Sequence, residues 1–174
     1  MMNEDRDGEH VKEVYARFGL AVYYAQVLEH GLVNALLVLD LLPSRRHLAR
    51  SRAEWEAAVG NFMGRHFEGT MGQLMKSLRV VTAVPSDLEA LLHEALERRN
   101  RLVHDFFRER AADFMSTRGR EDMLREVDEC RSSFEAADSR LAEIIRPLRL
   151  KAGVTDELVA AEYRLMKGSG RHDG

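Results

Sequence analysis

Three things are scarce in this chain. Cysteine occurs once, at Cys130, among 174 residues, which excludes an internal disulfide, and no His/Cys cluster has the spacing of a structural zinc site. A lone thiol fits a reducing compartment. Proline occurs only three times, and because proline breaks helix interiors, its rarity suits long helices better than a turn-rich β protein. Long apolar runs are the third: charges are expected to interrupt each one before the roughly 18 residues of a membrane span, and no basic-then-apolar leader opens the chain. The expectation is a cytoplasmic protein with no membrane segment, no metal and no cofactor.

What remains is enough for one core. A chain of 174 residues with 45% hydrophobic content has the size of an ordinary single domain and needs no covalent or metal staple. The domain is expected over residues 1–167, with Gly168, Ser169, Gly170 and Gly174 marking a disordered tail at 168–174. The net charge of -3 argues against a protein coated in base, so any contact with nucleic acid must come from local patches. One such patch is Arg45, Arg46, Arg50 and Arg52, with Glu54 the only nearby acid. It reads either as a solvated loop or as an edge that contacts phosphate.

Periodicity predicts an all-α protein, an up-and-down bundle of four to five main helices. A first long helix is expected from about Glu9 to Leu42, with Val11, Val14, Tyr15, Phe18, Val22, Ala25, Leu32, Val33 and Leu36 on its apolar stripe and Pro43 ending it. A second is expected over about 53–66. Thr70 with Gln73 and Ser86 with Glu89 both have capping-box spacing, so helices are expected to start at each. Two more follow, over about 87–110 and 118–148, the second bent or ended by Pro147, and a short one over about 156–166.

Polar residues interrupt this pattern in two places. On a wheel of 100° per residue, Leu88, Leu91, Leu92, Ala95, Leu96, Leu102, Val103 and Phe106 share one face, and Arg99 falls in the middle of it. An unpaired buried guanidinium costs several kcal/mol, so Arg99 needs a carboxylate or a wet cleft. Glu29, central on the stripe of the first helix beside Gln26, is the candidate partner. His93, Glu97, Asn100 and His104 form a polar strip on the flank. It is either a solvated face or part of a site; His93 and Glu97 at i, i+4 lack a third ligand, so metal is not expected there.

The segment Arg98-Arg99-Asn100-Arg101-Leu102-Val103-His104 resembles the signature of the HEPN superfamily, an arginine with a polar neighbour and a histidine four to six residues on. It is the one R-x4-H in the chain, and Asn100 directly follows Arg99. Tyr23-Tyr24-Ala25-Gln26-Val27-Leu28-Glu29 and Thr70-Met71-Gly72-Gln73-Leu74 are similar to segments of bacterial members, so the resemblance extends over about two thirds of the sequence. It implies a helical bundle that forms a homodimer, with the motif helices facing each other across a basic cleft. Many relatives are metal-independent endoribonucleases, often toxins or anti-phage defence effectors. Others have lost catalysis and serve as dimerising, RNA-binding or scaffold proteins. Where relatives paired with a nucleotidyltransferase antitoxin carry a tyrosine two residues after the histidine, Phe106 stands here and offers no hydroxyl for modification.

The resemblance implies roles residue by residue. His104 is the expected acid or base, since imidazole titrates near neutrality. Arg99 would bind the scissile phosphate through its guanidinium fork, and Asn100 would orient the sugar hydroxyl or the imidazole. Glu29, His93 and Glu97 are supporting candidates; Arg98 and Arg101 join Arg45, Arg46, Arg50 and Arg52 as candidate RNA contacts. Attack by the RNA's own 2′-OH would leave 2′,3′-cyclic phosphate ends. Arg99 and His104 lie about 140° apart on an ideal helix, so the arginine must swing, the helix distort, or a two-fold partner complete the site.

Overall fold

A computed structural model describes residues 2–45, 50–158 and 160. The expected tail at 168–174 and most of the expected helix over 156–166 lie outside them. The described residues are all-α, without a strand: α1 (Met2–Leu36), a π-helical segment (Leu37–Leu41), α2 (Leu42–Arg45), α3 (Arg52–Phe67), α4 (Met71–Val81), α5 (Ser86–His104), α6 (Phe106–Glu109), α7 (Ala111–Phe114) and α8 (Thr117–Lys151).

Residue pairs set the directions. Arg17 of α1 donates to Asp128 of α8 at 2.6 Å, and Asp138 of α8 lies against Gly31 of α1, so these two 35-residue helices run parallel. Between them α5 runs the other way. Its Asp87 accepts from Arg140 at 2.6 Å while Arg98 reaches Glu129, and against α1 its Arg99 meets Glu29 whereas Phe106 beyond its end meets Phe18. On the other side α4 pairs Arg79 with Glu89 of α5, again antiparallel. Of the five main helices, α1, α3, α4, α5 and α8, the helices α1, α4 and α8 thus run one way and α5 the other, around one core. Val14, Leu28 and Leu32 of α1, Leu78 of α4, Leu88 and Leu92 of α5, and Met123, Val127 and Phe134 of α8 are fully buried there.

Several boundaries differ from the periodic reading, each for a local reason. Pro43 does not end the first helix. The chain widens into the π turn, where the Leu42 N–H bonds to the Leu37 carbonyl; a wider turn accommodates a ring that cannot donate and would crowd an α-helical carbonyl. Pro147 likewise sits inside α8 without ending it. The Thr70–Gln73 capping box forms in full, but Ser86 makes no capping bond: α5 begins after Pro85, and Glu89 instead accepts from Arg79. That guanidinium holds the Glu89 carboxyl below the usual carboxylate range. The helix expected to reach residue 110 stops at His104, because Asp105 leaves helical geometry (φ -124°, ψ -24°).

The expectation of no membrane-length run is corrected too. Residues 7–44 contain a helical stretch long and apolar enough to cross a membrane, with half of it buried inside the bundle. Length and composition alone fit a core helix equally well, and Glu29 within it carries an ion pair to Arg99.

Candidate functional site

The motif residues sit on the last two turns of α5, where it passes α1. Arg99 Nε donates to Glu29 Oε1 at 3.1 Å, and Arg99 Nη1 donates to Asn100 Oδ1 at 3.3 Å. The two charged side chains are 25% and 23% exposed. This is neither a buried pair nor a free surface pair: water reaches the edge of the guanidinium, while Glu29 and Asn100 hold its plane. Such a partly wet, pre-oriented arginine retains N–H groups for a second anion.

His104 is exposed and is the final residue of α5, followed at once by the break at Asp105. Asn100 is exposed as well. The helix stays regular through His104, so distortion between Arg99 and His104 is ruled out, and one chain leaves the two about 140° apart on the α5 surface. Val103, expected in the core, is 44% exposed between them. Tyr15 of α1, expected on the apolar stripe, is 54% exposed, with its ring against Phe107 and Phe114 at 5.5 and 5.6 Å.

The other expected site residues separate into groups. His93 and Glu97 are exposed and 3.5 Å apart on the same strip; His93 lies more than one turn before Arg99, and Glu97, two residues before it, also lines the groove described below. No group of three or more His, Cys, Asp or Glu suited to a metal occurs among the described residues. Arg98 and Arg101 point to the opposite flank of α5, where Arg98 binds Glu94 at 2.8 Å and Arg101 binds Glu126 at 2.8 Å and Glu109 at 3.0 Å. Arg50 is exposed with its backbone N–H on Glu54, and Arg52 pairs with Glu56 at 2.6 Å. The Arg45 side chain and Arg46 lie outside the described residues.

Sequence reasoning missed the groove on that opposite flank, between α5–α6 and α8, of about 660 Å³. Arg98, Arg101, Arg110 and Arg125 line it against four carboxylates, including Glu126 and Glu129. Glu126 is the most enclosed of these; Arg110 donates to it at 2.5 Å opposite Arg101. The charges balance, so the groove has no net attraction for a phosphate chain. Its wall includes Cys130, whose thiol burial pushes up in pKa against the lowering effect of Arg98. A raised pKa disfavours the reactive thiolate. The missed signal was a run of i, i+3 and i, i+4 opposite charges, visible in the sequence but without a direction. A second cavity of about 750 Å³ lies between the π segment, α3 and α4. Its His66 is held by the Phe62 carbonyl at 2.9 Å and stacks on the Phe62 ring.

No family model, curated protein or solved structure matches this chain.

Proposed function

We propose that the protein is a metal-independent endoribonuclease of the HEPN type, acting as a homodimer on RNA in the cytoplasm, with Arg99, Asn100 and His104 as its reacting group. The observation that supports it is the Arg99 arrangement: a guanidinium oriented by Glu29 and Asn100, still reached by water, on the same helix as an exposed terminal histidine. In this reading Arg99 binds the scissile phosphate and stabilises the charge that builds on it. His104 moves the proton of the 2′-OH or of the leaving 5′-oxygen. Arg98, Arg101 and Arg52 are occupied by carboxylates and contribute less to RNA affinity than their number suggests. A role as a toxin or defence effector fits an RNA-cutting dimer, with the antitoxin or other partner unnamed.

A second reading has its own observation. Two partners already occupy Arg99, which suits a non-catalytic, dimerising or RNA-binding bundle where the pair is purely structural. Purified protein incubated with a mixed RNA pool separates the two. Wild type should cut with 2′,3′-cyclic phosphate ends, unchanged by EDTA. His104→Ala should lose at least a hundredfold in rate, the ordinary scale of general acid–base catalysis (~10²–10⁴), with its melting curve unchanged. Arg99→Ala should lose cleavage and also RNA affinity. Cleavage by His104→Ala at the wild-type rate sinks the nuclease reading.

A further inference from the structure

His104 stands where a helix is least able to hold it. It is exposed at the last position of α5, and no hydrogen bond or ion pair within the described residues fixes its imidazole. Terminal turns fray because their final carbonyls lack partners further along the helix. Here the turn is closed by the Asp105 N–H, which donates to the Arg101 carbonyl at 2.9 Å. Beyond it Phe106 is buried, but one anchored ring fixes a point on the chain and not the direction in which α5 arrives or α6 leaves.

That direction is set from α8. Glu126, 13% exposed, places one carboxylate oxygen on each side of the break. Its Oε1 accepts from Arg101 Nη1 at 2.8 Å, and its Oε2 accepts from Arg110 Nε at 2.9 Å and Nη2 at 2.5 Å. Arg101 precedes His104 by three residues and Arg110 follows it by six, so a single side chain bridges both flanks of the histidine. Each guanidinium has a second tie, Arg101 to Glu109 at 3.0 Å and Arg110 to Asp113 at 3.0 Å. Isolated surface pairs contribute little because solvent screens them, but this carboxylate is enclosed and its bonds are charge-assisted. Neutralising Glu126 needs only one arginine. Two of them, on opposite sides of a helix break, constrain geometry.

We propose that Glu126 is a positioning residue for the end of α5: by tying Arg101 and Arg110 to α8 it keeps the last turn wound and so holds His104 in a fixed place relative to Arg99. The effect on catalysis rests on the ribonuclease reading. The pinning of the turn does not.

Hydrogen exchange tests the pinning without RNA. In Glu126→Gln, which keeps the side-chain shape and one acceptor, the Asp105 amide should exchange about tenfold faster, the scale of losing a charge-assisted bond. The Thr82 amide, which closes α4 on the Leu78 carbonyl, should keep its rate. Arg101→Gln and Arg110→Gln should each speed Asp105 as well, and combining either with Glu126→Gln should add little, since all three remove the same bridge. An unchanged Asp105 rate, or an equal rise at Thr82, overturns the pinning. With RNA, Glu126→Gln should lower kcat by about ten- to a hundredfold at nearly constant KM, the scale on which a displaced reacting group acts. Were Glu126 only a shield for the two arginines, freeing them would instead lower KM at constant kcat. That result, or fast exchange at Asp105 with wild-type kcat, overturns the positioning of His104. A wild type that cuts no RNA sinks the ribonuclease reading and the catalytic role with it, while the exchange rates still decide the pinning.

Discussion

Arg99 shows how one residue links stability to chemistry. Its wheel position demanded a partner, and Glu29 supplies one from 70 residues away at 3.1 Å. With both side chains about a quarter exposed, the desolvation cost is partial, so the net worth of the pair lies between that of a surface and a buried bridge. Glu29→Ala should therefore destabilise the fold by about 1–2 kcal/mol, read as a lower midpoint in urea with an unchanged slope. Glu29→Gln should recover part of that loss, because an amide oxygen still accepts from Nε. An unchanged midpoint in both variants would remove the pair from the stability of the bundle. Arg120 is the contrasting case: only 4% exposed, it donates to the Phe114 carbonyl at 3.0 Å and to Asp7 of α1. Nothing in its own sequence neighbourhood marked it as buried.

At the scale of elements, helix starts were readable where side chain and backbone satisfy each other locally, as at Thr70, and less so where tertiary contacts compete. Glu89 illustrates the second case. Its capping role is given up for an ion pair with Arg79 on a neighbouring helix. The turn between α7 and α8 depends on a closer approach. A Cβ at Gly119 would overlap the carbonyl oxygen and Cα of Asp113, both backbone and unable to move aside. The N-cap Ser116 fixes this turn by accepting from the Gly119 N–H at 3.0 Å. Gly119→Ala should lower stability by about 1–3 kcal/mol, the ordinary cost of overpacking, despite alanine's better helix propensity. A calorimetric midpoint equal to or above wild type would show that α7 can shift freely. The same substitution at Gly19, where a Cβ meets nothing within 4 Å, should leave the fold unharmed.

For the whole molecule, the parallel packing of α1 on α8 contains a polar liability. Asp138 is half-buried against Gly31, and burial pushes its carboxyl above the usual range. The sign follows from proton binding. A folded-state pKa above the unfolded one means the native state binds more protons, so the contribution of this group to stability falls as pH rises through that window. Asp138→Asn should raise the melting temperature at pH 7 and lose its advantage as pH drops below the unfolded carboxylate value near 4. An equal gain at pH 3 and pH 7 would assign the effect to packing alone. Most of the bundle was legible before its tertiary structure. Helix period, the scarcity of proline and the lone cysteine gave its class, and the apolar stripes alone isolated Arg99 and Glu29 as residues out of place, whereas His104 lay on a polar flank and only the resemblance singled it out.

Local chemistry was sufficient for that much, since a helix is a short-range structure and its apolar stripe is written at fixed spacing. Burial is a relation between helices, and there the sequence was silent or misleading. Tyr15 and Val103 lie within apolar stripes yet are 54% and 44% exposed, Tyr15 with only one side of its ring against Phe107 and Phe114. Arg98 and Arg101 look like free cations in sequence but are neutralised by acids of α5, α6 and α8. The sequence by itself determined the helices and the residues that do not belong on their stripes. Only the tertiary structure decided which charges are satisfied and which face stays uncovered, because both depend on partners far along the chain.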